Sequence, residues 1–165
     1  MVGEAVLLTY EPRFAPAFAA LNYEWIETYF EVEEEDRLAL EDPEGYALSK
    51  GGQIFFVVEG ETAVGTVAVV PLKAGSTTTD HGDRAVYELA KMAVRPDRQG
   101  RGYSHLLMQA CIDYARGAGA DELMLVTNDV LKPALGLYTG AGFVPVERYS
   151  DTRYERGNLE MRLAL

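Results

Sequence analysis

Apolar residues along this chain change their period several times, and each change marks an element. The run AVLLT at 5–9 is continuous and reads as a buried strand. In PAFAALNYEWIETYF, residues 16–30, the large apolar positions Phe18, Leu21, Trp25 and Phe30 fall in a roughly helical stripe. A second, short helix at 36–40 is expected to end before Pro43, because a proline pushes the preceding residue out of the helical region. QIFFVVEG (53–60) and AVGTVAVVPL (63–72) are β-rich, with Gly60-Glu61 between them as a hairpin turn. The polar stretch KAGSTTTDHGD (73–83) reads as a loop. AVYELAKMAV (85–94) is apolar on both faces, which suits a strand in the middle of a sheet.

Downstream, Leu107, Ala110 or Cys111, Tyr114 and Ala118 recur at three- and four-residue steps, giving a helix that stops at Gly117–Gly119. ELMLVT (122–127) reads as another buried strand. Pro133 fits the first position of a helix running to about Gly140. In NLEMRLAL (158–165), Leu159, Met161, Leu163 and Leu165 alternate on one face, as in a half-buried strand. The order is strand, two helices, a strand meander, strand–turn–helix, strand, helix and closing strand, which predicts a mixed α/β domain of three layers. No repeat or low-complexity linker interrupts it, so 1–165 reads as one domain.

Composition narrows the function. Apolar and charged fractions of 48% and 25% are those of a globular protein, and a net charge of −11 argues against nucleic acid or an anionic membrane as partner. One cysteine and two separated histidines, His81 and His105, offer no disulfide and no zinc spacing, so no metal is expected. The first residues do not form a signal peptide, and no run approaches the roughly 18 apolar residues of a membrane span, so a cytoplasmic location is expected.

The chemistry gathers at RPDRQGRGYSHLLM (95–108). Gly100 and Gly102 let backbone approach a ligand, the helix that follows offers unpaired N–H groups to an anion, and Arg95, Arg98 and Arg101 add charge. A Walker loop needs a lysine after the glycines, and a dinucleotide fingerprint needs a third glycine where His105 stands. What remains is Gln99-x-x-Gly102-x-Ser104. This resembles the Q/R-x-x-G-x-G/A turn of the GNAT superfamily of acyl-CoA-dependent N-acetyltransferases, with Ser104 where the family has Gly or Ala. TNDVLKPALGLYTGAGF (127–143) is similar to a second family segment through Asn128, Ala134, Leu137, Tyr138, Gly142 and Phe143. YELAKMAV before the turn resembles the family's fourth strand, so the likeness covers about 86–143.

The resemblance implies a GNAT-like three-layer fold, with a mixed, mostly antiparallel central sheet flanked by helices. It implies acetyl-CoA as co-substrate and direct transfer of acetyl to an amine in a ternary complex. The turn formed by Gln99, Gly100, Arg101, Gly102, Tyr103 and Ser104 would hold the coenzyme A pyrophosphate. The strand near Met92, Ala93 and Val94 would splay at a bulge and bind the pantetheine arm, with Asn128 as a further contact. Tyr138 would protonate the departing thiolate; its helical face would equally suit a core residue. Asn128 could instead only start a helical turn.

Glu88 is a carboxylate within an apolar strand, costly unless paired or functional, and reads equally as general base or structural anchor. Alternation puts Lys91 on the opposite strand face. Cys111 reads as a core thiol and His105 as a solvated neighbour of the cap. Between residues 24 and 44 ten acids face one base, Arg37, a local −9. That balance suits a cationic amine acceptor or serves only solubility. A non-catalytic acyl-CoA sensor is the competing reading, and a homodimer is left open.

Overall fold

The computed structural model describes residues 4–72, 84–146 and 159–165. Among them seven strands form one sheet, and its strand order follows the chain until the last two. β1 (Ala5–Thr9), β2 (Gln53–Glu59), β3 (Thr62–Pro71) and β4 (Val86–Val94) make an antiparallel meander. β5 (Glu122–Thr127) runs parallel to β4, and the antiparallel β7 (Leu159–Ala164) separates β5 from the two-residue β6 (Val144–Pro145). The expected loop at 73–83, His81, Asn158 and the first three residues lie outside the described residues.

Alternation along β2 builds both faces. Ile54, Phe56 and Val58 enter a cluster with Phe18 and Ile26 of α1 (Ala15–Tyr29) and Leu40 of α2 (Glu34–Leu40). Phe55 and Val57 enter the other cluster, with Leu107 and Cys111 of α4 (Tyr103–Gly117) and Tyr138 of α5 (Lys132–Ala141). The result is the helix–sheet–helix sandwich expected, and β4 is its middle strand. Burying a side chain such as Phe18 or Leu107 contributes roughly 1.5–3 kcal/mol.

Four expectations change. AVLLT is no buried strand: β1 is a sheet edge bonded only to β2, which leaves Val6 and Leu7 exposed. Pro43 does not merely stop a helix; it opens α3 (Pro43–Tyr46), where the Asp42 carboxylate accepts from Gly45 N at 3.0 Å. The long helix ends at Gly117, so Ala118 is its exposed cap rather than core. The polar face of β7 is buried too. Glu160 and Arg162 pair at 2.8 Å, and Arg162 reaches Glu122 at 2.9 Å, so partnered charges replace the exposed face expected. Among the described residues no helix is long and apolar enough to cross a membrane, and no three His, Cys, Asp or Glu side chains gather as a metal site.

Candidate active site

β4 and β5 pair only at Val86–Glu122, Tyr87–Leu123 and Glu88–Met124; beyond Glu88 the two strands carry no registered pairing. On its other side β4 breaks register with β3, so that Lys91 and Met92 together oppose Val67. Lys91 sits at φ 56, the single left-handed residue other than glycine among those described. Such a backbone costs of the order of 1–3 kcal/mol and persists where surrounding structure enforces it. The extra residue inverts the alternation: Leu89 and Val94, an odd number of positions apart, both face α4. Lys91 therefore turns to the α1–α2 face, the same face as Glu88, and not to the opposite one. There its ammonium lies 2.9 Å from Asp36 of α2, in a pair whose side chains are 5% and 0% exposed.

After Val94 the chain makes a 3₁₀ turn at Pro96–Arg98 and reaches Gly100 and Gly102, at φ 81 and 82. Gly102 is the N-cap of α4 and brings no side chain to satisfy the first N–H groups. A Cβ at Gly100 or Gly102 would meet nothing within 4 Å, so the backbone there borders open space. Two of the arginines expected to face that space are committed within the protein. Arg95 forks onto Asp97 at 3.0 and 2.6 Å. Arg98 donates to Glu59 at the end of β2 at 2.8 Å, and the Tyr103 hydroxyl donates to the same carboxylate at 2.6 Å. Those bonds, Tyr103 first and Arg98 next, hold the Glu59 carboxyl below the usual carboxylate range. Arg101 is exposed and outside the groove lining.

Two cavities meet at the gap between β4 and β5. The larger, about 520 Å³, runs from Met92, Ala93 and Val94 along Gln99, Gly100, Gly102, Tyr103 and Ser104. The smaller, about 110 Å³, lies on the α1 side and is lined by Asn22, Trp25, Glu88, Lys91, Thr127 and Asn128. Trp25, Met92, Leu131, Ala134 and Tyr138 border both. Tyr138 thus stands at the junction. Its ring is T-shaped on Phe143 at 5.9 Å, and burial pushes its phenol up to about 12. Gly142, at φ 105, ends α5 and turns the chain so that Phe143 can pack there.

The structure brings Met92–Val94, the glycine turn and Tyr138 together around the larger groove, and Glu88 and Asn128 onto the smaller cavity. Glu88 is only 5% exposed. The Asn128 side chain accepts from Val130 N at 2.9 Å, so it supports the turn into α5 as well as facing the cavity. Cys111 is fully buried, with its thiol 3.9 Å from the Ala68 carbonyl and pushed up by burial. His105 is exposed on the larger groove. Glu59 and Asp36 were not singled out in the sequence. Glu59's partners stand 39 and 44 residues away, and no local pattern marks them. Asn22 could have been noticed as a polar residue within the apolar stripe of its helix; it is buried and donates to Phe18 O at 3.0 Å.

Comparison with known proteins gives this geometry a lineage. Over 103 residues the chain is 32% identical to N-acetyltransferase 8B of Rattus norvegicus, an overlap that spans 62% of this chain and 44% of that protein. The chain therefore matches less than half the length of that relative. In fold it is similar to a GNAT-family acetyltransferase from Staphylococcus aureus Mu50, at a TM-score of 0.82 and 18% identity, covering 98% of this chain and 99% of the other. It is also similar to a GNAT-family acetyltransferase from Brucella melitensis in complex with acetyl-CoA, at 0.67 and 20%, covering 94% of each. Residues 19–143 match the acetyltransferase (GNAT) family, and that span holds both cavities, the bulged strand and the glycine turn. The chain belongs to the GNAT family of acetyltransferases.

Proposed function

We propose that the protein is an acetyl-CoA-dependent N-acetyltransferase that passes acetyl directly to an amine. The carrying observation is the junction: Met92 and Tyr138 border both cavities, so a thioester in the larger groove and an amine in the smaller cavity would meet there. The open space at Gly100 and Gly102 and the uncapped start of α4 fit a pyrophosphate. In the reaction the amine nitrogen attacks the thioester carbonyl carbon. The C–N bond forms, the C–S bond breaks, the nitrogen releases a proton and the leaving thiolate takes one up. Amides of the bulged strand at Met92–Val94 face the developing oxyanion, where preorganised donors act most strongly. Glu88, alone or through water, receives the proton from the amine, and Tyr138, neutral at working pH, supplies the proton to sulfur. Burial of Cys111 supports direct transfer over an acylated-cysteine route.

The acceptor is a cationic amine. Eight acids of the 24–44 segment are exposed, Glu24 and Glu27 among them on α1, the helix that supplies Trp25 to the smaller cavity. The test is thiol release from acetyl-CoA across a panel of polyamines, amino acids, aminoglycosides and peptide N-termini, with initial rates taken at varied concentrations of both substrates. Intersecting double-reciprocal lines with a cationic amine are the expected result. Parallel lines overturn direct transfer; binding of acetyl-CoA with no turnover on any amine overturns the enzyme reading in favour of a coenzyme-binding sensor.

A further inference from the structure

Of the ten acids between residues 24 and 44, Asp36 alone is fully buried. Its two carboxylate oxygens are divided between two tasks. One accepts from Glu33 N at 2.8 Å, half of a capping box that also has the Glu33 side chain accepting from the third residue of the helix. The other receives the Lys91 ammonium at 2.9 Å, across 55 residues of sequence. Lys91 is the residue held at left-handed φ, it lines the smaller cavity, and the next residue, Met92, borders both cavities. Lysine has no intrinsic preference for that backbone, and neither charge is stable in the interior without the other. One carboxylate therefore joins the first turn of α2 to the bulge of β4.

We propose that Lys91 is a positioning residue for acetyl transfer: its pairing with Asp36 fixes the bulge of β4 to α2, setting the backbone amides that meet the thioester. The inference rests on the transferase reading given above. A strained bulge released from α2 would relax toward a regular strand, turning the Met92–Val94 amides away from the groove. The glycine turn, held separately by Glu59, would stay as it is.

The variant that separates positioning from folding is Lys91→Met/Asp36→Asn in the full chain, which removes both charges, nearly conserves volume and keeps an acceptor for Glu33 N. Three quantities decide: acetyl-CoA affinity by titration, kcat and KM with a reactive amine, and hydrogen exchange of the amides at 91–94 and 102–106. The expected result is a folded protein whose KM for acetyl-CoA stays within about twofold while kcat falls about 10- to 100-fold, the scale of a small misplacement. Exchange at 91–94 rises and that at 102–106 does not change. If kcat and exchange at 91–94 both match the parent, the pair is merely structural and the inference falls. If the parent itself turns over no amine, the transferase reading fails and the role in acetyl transfer falls with it; faster exchange confined to 91–94 then still shows that the pair fixes the bulge, and unchanged exchange overturns that as well. Should the double variant not fold, Lys91→Ala/Asp36→Asn replaces it, since it leaves no unpaired charge and the smaller side chain makes room for water at the amide. The same kcat and exchange outcomes then apply.

Discussion

Tyr138 carries its hydroxyl on a ring that is only 9% exposed, at the one place where both cavities touch. Desolvation raises the phenol above its ordinary value of 10.0 to about 12, so it stays a proton donor through the neutral range. The sign has a second consequence: the neutral buried phenol is secure below pH 10, and its environment destabilises the fold as pH climbs through about 12. Tyr138→Phe deletes one oxygen and little volume. Its kcat should fall by about 10²–10⁴-fold with acetyl-CoA affinity unchanged. A kcat equal to the parent's, measured where chemistry limits the rate, assigns Tyr138 to the core alone. Glu88→Gln keeps shape and removes the base. It should lower kcat most at neutral pH, and the deficit should shrink toward pH 10, where amines of lysine-like basicity lose their own proton. A pH–rate profile superimposable on the parent's leaves Glu88 as an anchor.

The glycine turn is held from below by a different element, β2, through Glu59. Because its folded carboxyl lies below the ordinary range, this anchorage is complete above about pH 4.5 and is lost as pH falls through the lower, folded value. Glu59→Gln keeps a partner for Tyr103 but not the charge opposite Arg98. Acetyl-CoA affinity should weaken several-fold at neutral pH, while the variant and parent converge in acid. Equal affinities at neutral pH would show that the turn needs no such support. These elements also show what the residue pattern conveys. ELMLVT was readable because a continuous apolar run bounded by turns has few alternatives, and the observed β5 spans the same six residues. The glycine turn was readable because left-handed backbone at a helix start selects glycine. The bulge was expected from resemblance alone, near Met92–Val94, and it lies at Lys91–Met92. YELAKMAV has the same composition whether or not one residue is extra, and only the parity of Leu89 and Val94 against α4 betrays the slip. AVLLT looked buried because apolar content does not say whether a strand has one neighbour or two.

Across the whole molecule, charge is distributed unevenly. The −9 of the 24–44 segment nearly accounts for the total of −11, but Asp36 is spent on Lys91, Glu33 on its cap and Glu34 on Arg37 at 3.7 Å. The surface field therefore comes from fewer groups than the sequence count suggests. Glu24→Gln/Glu31→Gln/Glu35→Gln leaves the caps, the Glu34–Arg37 pair and the buried pair intact. Its kcat/KM should drop for cationic amines and not for neutral ones, and the difference should fade as salt rises beyond about 0.1 M, where screening acts within about 10 Å. The same loss for neutral amines, or no loss for either, would reduce the acidic face to a solubilising surface.

The meander β1–β4 is complete by Val94, yet the helix that covers one of its faces is not made until Gly117. During synthesis, then, the chain passes through a length at which Phe55, Val57, Val67 and Val69 form a finished apolar plane with α1 behind it and nothing in front. An emerging chain in that state is a client for chaperones and prone to stick to its neighbours. A chain cut after Arg95 should bind a hydrophobic dye and aggregate, and one cut after Ala120 should do so far less.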